Sequence, residues 1–201
     1  DDHGHKEHKD HDDHGHKEHK DHDDHAHGEH DPHVWLDPIN AKSLIHEIEE
    51  VLSEVDPKNA SIYEANAKRT SMKLDQLVKE LQSELSPYHD NRFIVFHDAY
   101  QYFEKRFDVS AVGSITVSPE IIPGAQRISE IQDKILDLKA NCVFSEPQFE
   151  PKLVQTVINN TNARTGVLDP LGAAIEKGPE MYFTLIRNMA RSLKDCLSGK
   201  V

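Results

Sequence analysis

FIVFHDAYQYFEKRF (93–107) joins two kinds of periodicity within fifteen residues. Phe93–Phe96 is an unbroken apolar run of strand length, and 98–106 is an aromatic-rich stretch that reads as a helix. The alternation continues downstream. A strand over Val109–Val117 precedes a helix over Ala125–Leu138, then a strand over Cys142–Phe144 and a helix at 151–160. A strand over Thr165–Leu168 and a last helix at 179–197 complete the series. Strands alternating with helices predict a parallel, doubly wound α/β sheet. Ligands of such sheets bind beyond the carboxyl ends of the strands. That rule gathers three polar residues: His97 directly after FIVF, Glu146 after CVFS and Asp169 after TGVL.

Upstream, Asp56-Pro57 separates two helical patterns. Before it, Asn40 or Ser43 can cap a helix (40–55) carrying Leu44, Ile45, Ile48, Val51, Leu52 and Val55 on one face. After it, Pro57 takes the favoured first helical position, and 58–85 holds Leu74, Leu77, Val78, Leu81 and Leu85 with no Gly or Pro until Pro87. At 1.5 Å per residue that helix would run about 40 Å, enough to serve as a strut between two lobes.

Further upstream, twelve of the first 33 residues are histidine. DDHGHKEHKDH fills 1–11, recurs unchanged at 12–22 and returns as DDHAHGEHDPH at 23–33. The imidazoles are His3, His5, His8, His11, His14, His16, His19, His22, His25, His27, His30 and His33. With an ordinary pKa near 6.5, most such rings are neutral at pH 7 and can donate a nitrogen to a metal. Nitrogen donors without thiolate suit Zn²⁺, Ni²⁺ and Cu²⁺. Asp and Glu outnumber Lys there by 12 to 4, which supplies −8 of the chain's formal charge of −13 and concentrates cations. A purification tag would be a more uniform histidine run. With no apolar residue larger than Ala26 before Val34, the tract is expected to be disordered without metal and to collect ions loosely.

The acidic balance argues against nucleic acid, and no run of about 18 apolar residues offers a membrane span. No HExxH and no evident Ser/His/Asp arrangement point to catalysis. The chain starts inside a repeat without Met, so it reads as processed or truncated. Cys142 and Cys196 are too few for a cysteine zinc site; they are either a disulfide, which would place the protein outside the cytosol, or two buried thiols. Taken singly, His97 reads first as a hydrogen-bonded structural histidine, Asp169 as a turn residue before Pro170, and Glu146 as a helix-capping or loop-bonding carboxylate. His33 differs from the other repeat histidines in its apolar neighbours Val34, Trp35 and Leu36, which could fix its ring. His46 and His89 look exposed.

HVWLDP (33–38), FIVFHDAYQYFEKRF (93–107), CVFSEPQFEP (142–151) and GVLDPLG (166–172), in that order after an acidic histidine-rich loop, resemble the zinc-uptake solute-binding proteins of ABC transporters (ZnuA-type, metal-binding cluster A-I family). The resemblance implies two α/β lobes joined by a long rigid helix, with Zn²⁺ held between them. It divides the chain into a metal-collecting loop (1–32), a remnant of the first lobe (33–56), the linking helix (57–87) and the second α/β lobe (88–201). It assigns His33 and His97 as metal ligands and matches Asp169 to a carboxylate that ligates directly, lies behind the ligands or is replaced by water. It pairs Cys142 with Cys196 and leaves His3 to His30 as low-affinity sites. A further histidine ligand of the family belongs to a first lobe that has no counterpart here, so weaker and less selective binding than in a two-lobed form is expected. The implied setting is periplasmic, the implied partners are Zn²⁺ and an inner-membrane ABC permease, and the implied state is a monomer without enzymatic activity. A free-standing histidine-rich metal buffer or chaperone and a manganese solute-binding protein are the alternatives.

Overall fold

The structure, a computed structural model, describes residues 31–116, 123–149 and 151–200. The repeat histidines His3 to His30 and the predicted strand end at Val117 lie outside the described residues. Two helices come first, α1 (Pro38–Val55) and α2 (Ala60–Leu85). Strands and helices then alternate: β1 (Arg92–His97), α3 (Gln101–Phe107), β2 (Ser110–Thr116), α4 (Ala125–Asp137), β3 (Cys142–Ser145), α5 (Pro151–Ile158), β4 (Arg164–Val167) and α6 (Met181–Leu197). The four strands form one parallel sheet in the order β2-β1-β3-β4.

The unbroken apolar run of β1 follows from burial on both faces of the sheet. Phe93 and Val95 join Phe144 on one face, against Leu74, Leu77, Leu81 and Leu85 of α2, Phe103 and Phe107 of α3, and Ile186, Met189 and Leu193 of α6. Ile94 and Phe96 join Ile115 and Val143 on the other, against Ile131 and Ile135 of α4 and Val154 and Val157 of α5. Each such side chain contributes roughly 1.5–3 kcal/mol of burial. Phe144 pairs in register with Gly166 of β4, and a Cβ at Gly166 would lie 2.4 Å from the Phe144 ring. Only glycine fits beside that ring.

α1 begins earlier than the Asn40 or Ser43 caps predict. Asp37 Oδ1 accepts the Ile39 N–H at 2.8 Å, and Pro38 sits at the first helical position, where a missing N–H costs nothing. The apolar face of α1 is mostly exposed, with Val51 and Val55 at 58% and 71% accessibility; only Pro38 and Ala41 of this helix are buried. α2 is fastened along its second half. Lys73–Glu180 (2.6 Å), Glu80–Arg187 (2.8 Å) and Glu84–Lys194 form a row of ion pairs to α6 and the residue before it. Cys142, the first residue of β3, is disulfide-bonded to Cys196 in the last turn of α6. Among the described residues, no helix is long and apolar enough to cross a membrane.

Candidate metal centre

His97 is the last residue of β1, paired with Thr116 of β2, so the sheet itself delivers its ring to the carboxyl edge. Glu146 follows the last residue of the neighbouring strand β3. The two meet: Glu146 Oε1 lies 2.6 Å from His97 Nδ1, and both residues are buried. The Glu146 carboxylate therefore holds an imidazole, a different role from the capping or loop bond read from its sequence position. A carboxylate oxygen accepts, which assigns the proton to Nδ1 and the lone pair to Nε2.

His33 is arranged in the same way. Its Nδ1 lies 2.7 Å from Asp31 Oδ1, and the same oxygen accepts the His33 backbone N–H at 2.9 Å. In each ring Nε2 is thus the nitrogen a metal would take, oriented by a carboxylate behind it. The two rings meet nearly edge-on, with centroids 5.4 Å apart. Two imidazoles sharing one tetrahedral zinc, with Zn–N near 2 Å, would have centroids about 5 Å apart. A separation of 64 residues does not by itself signal this meeting; the family resemblance of the flanking motifs does.

Aromatic rings wall the pair. Trp35 lies 5.3 Å from His33, and Phe149 and Tyr100 lie 6.1 and 6.3 Å from His97, centroid to centroid. Burial pushes the Tyr100 phenol well above its usual range, and the Glu146 carboxylate and, less strongly, Asp169 push the same way. Tyr100 therefore stays neutral beside the two carboxylates.

Asp169 is placed differently from the histidines. Its Oδ1 accepts from the N–H groups of Leu171 (3.2 Å) and Gly172 (2.9 Å) and from Gln148 Nε2 (2.9 Å), while Oδ2 accepts from Ala173 N–H at 2.6 Å. The carboxylate closes its own turn, with Gly172 at a φ of +70°. Among the described residues, no group of three or more His, Cys, Asp or Glu side chains is arranged to hold a metal. The structure brings His33 and His97 together and leaves Asp169 bound to its turn. His46 and His89 are exposed: His46 faces Glu49 and Glu50 along α1, and His89 Nδ1 bonds the Ser86 carbonyl at 2.9 Å.

The parallel α/β fold is shared with proteins of known structure. The chain superposes on a structure of ZnuA with a TM-score of 0.73 at 29% identity, covering 83% of this chain and 60% of that one. It superposes on the laminin-binding adhesin Lmb of Streptococcus agalactiae with a TM-score of 0.74 at 30% identity, covering 83% and 63%. Over residues 2–196 the sequence matches the family described as zinc-uptake complex component A, periplasmic, and the chain belongs to that family. It is 63% identical over 166 residues to the high-affinity zinc uptake system protein ZnuA of Brucella suis biovar 1 (strain 1330), covering 83% of this chain and 50% of that protein. Against the protein of the same name from Yersinia pestis the identity is 40% over 165 residues, covering 82% and 52%. The chain spans about half the length of the curated relatives it matches.

Proposed function

We propose that this chain is the zinc-holding part of a periplasmic solute-binding protein that captures Zn²⁺ and passes it to an ABC permease of the inner membrane. The observation that carries the reading is the His33–His97 pair, two imidazoles 5.4 Å apart with each Nδ1 on a carboxylate. His33 and His97 ligate through Nε2, and nitrogen donors favour zinc over manganese. Asp169 or water supplies a further oxygen; for Asp169 to ligate, it must give up part of its turn. The repeat histidines His3 to His30 act as a weak collector that raises the local ion supply. The role is binding and delivery of the ion, in keeping with the zinc-uptake family to which the chain belongs.

Calorimetric titration with Zn²⁺ tests this. One tight site and several weak ones are expected, with His33→Ala and His97→Ala each strongly weakening the tight site and deletion of 1–30 sparing it. If His97→Ala left metal binding unchanged and the deletion removed it, the protein would be a histidine-rich buffer.

A further inference from the structure

His33 precedes the long helix in sequence, yet its segment is tied by long-range hydrogen bonds to the lobe that carries His97. Asp37 is buried and forms a two-pronged ion pair with Arg106 of α3, with Nε to Oδ1 at 2.7 Å and Nη2 to Oδ2 at 2.8 Å. Tyr102, also of α3, donates to the Asp31 carbonyl at 3.2 Å. Trp35 Nε1 donates to the carbonyl of Pro170, next to Asp169, at 2.9 Å. Tyr182 of α6 donates to the Trp35 carbonyl at 2.7 Å. Three separate elements thus converge on seven residues, 31–37. Tyr182 is a dependable donor, because burial first and Asp37 second push its phenol far above neutral pH. The planar guanidinium fixes both the position and the rotation of Asp37, which a single ammonium bond cannot do.

We infer that Arg106, Trp35 and Tyr182 are positioning residues that strap His33 to the 88–201 lobe and thereby set metal affinity without touching the ion. The inference rests on the reading of His33 and His97 as zinc ligands. The ligand pair then moves as one body, and rotation of another lobe about α2 does not separate it. Loosening the strap does. Groups that orient a metal ligand from behind typically change affinity 10–100-fold when removed. The strap acts one residue shell further out, so the low end of that range applies.

The test is competition for Zn²⁺ against a chromophoric chelator, using the whole chain. Arg106→Gln is expected to weaken the tight site about tenfold, Arg106→Lys to recover part of the loss, and Tyr182→Phe to weaken it several-fold. Tyr182→Phe removes one oxygen from a folded protein and keeps the test decisive should Arg106→Gln fail to fold. Glu80→Gln, which breaks an ion pair to α6 away from the site, is expected to leave affinity unchanged. Coupling separates positioning from general loosening: in a His33→Ala background, Arg106→Gln should cost nothing further. Co²⁺ absorption bands should likewise shift in Tyr182→Phe and stay put in Glu80→Gln. If His33→Ala weakens binding while Arg106→Gln and Tyr182→Phe do not, the strap is overturned and the ligand assignment stands. An equal loss from Arg106→Gln with and without His33 overturns the strap too. If His33→Ala has no effect, the ligand assignment falls and takes the strap with it.

Discussion

Glu146 is the residue whose removal should separate orientation of the site from its ligation. It contributes no metal bond in the proposed site, yet it is buried and holds His97 Nδ1 at 2.6 Å. Glu146→Ala is expected to weaken Zn²⁺ binding by about 10–100-fold, and Glu146→Gln by less, because the amide oxygen can still accept the ring proton. Competition titration of the two variants would contradict this if both matched the wild type. Glu104 makes a separate prediction. Burial pushes its carboxyl up to about 7, Asp98 adds a smaller push, and the Ala111 N–H opposes them. A raised carboxyl pKa means that the folded state holds more protons than the unfolded one between roughly pH 4.5 and 7. That contribution to stability is complete below the unfolded value and is lost as pH rises through 7. Glu104→Gln should therefore raise the melting temperature more at pH 8 than at pH 5, and an equal effect at both would rule the account out. At this scale the sequence was informative for some residues and silent for others. His97 was legible because an apolar strand ended on it. The partnership of Glu146 was not, since a hydrogen bond between strand ends depends on register and rotamers that no local pattern encodes; the Asp31–His33 bond, by contrast, spans only two residues. For Asp169 the turn chemistry of Asp-Pro was legible, and the structure engages both its oxygens in that turn.

Elements were easier to read than contacts. Apolar runs such as FIVF and CVF mark strands because both faces of a parallel sheet are covered, and that pattern survives without knowledge of the partners. The misplaced boundaries have local causes. α1 starts at Pro38 because Asp37 caps it, and α3 starts at Gln101 because the chain first bends at 98–100, with Ala99 N–H bonding the His97 carbonyl at 3.0 Å. The disulfide links β3 to α6 across 54 residues, and in the chain-entropy model a loop of that size is worth about 4 kcal/mol. Reduction should lower the urea midpoint accordingly; an unchanged midpoint would show that packing alone holds α6. Gly166→Ala should destabilise the sheet by about 1–3 kcal/mol, because the fully buried Phe144 ring has nowhere to retreat. A wild-type thermal midpoint in that variant would show that β4 can shift.

On the scale of the molecule, ion binding and folding should be linked. Zn²⁺ that binds only the folded chain adds about 2.7 kcal/mol at a hundred times its dissociation constant. The thermal midpoint should rise with Zn²⁺ in the wild type and barely in His33→Ala; equal rises would show that the stabilising ion sits elsewhere on the folded chain. The exposed apolar face of α1, with Leu44, Ile48, Val51, Leu52 and Val55, belongs to a chain that spans half the length of its curated relatives. Comparing zinc affinity with that of a full-length relative tests whether the described lobe alone binds more weakly. The last described helix, α6, brings a different consequence. It supplies Tyr182 to the strap, Arg187 and Lys194 to the long helix, and Cys196 to the disulfide. A growing polypeptide therefore completes the strap around His33 only after Tyr182, some 150 positions later, has been made. For the proposed site this means that tight binding arrives late in biosynthesis, well after the weakly binding repeat histidines have been made.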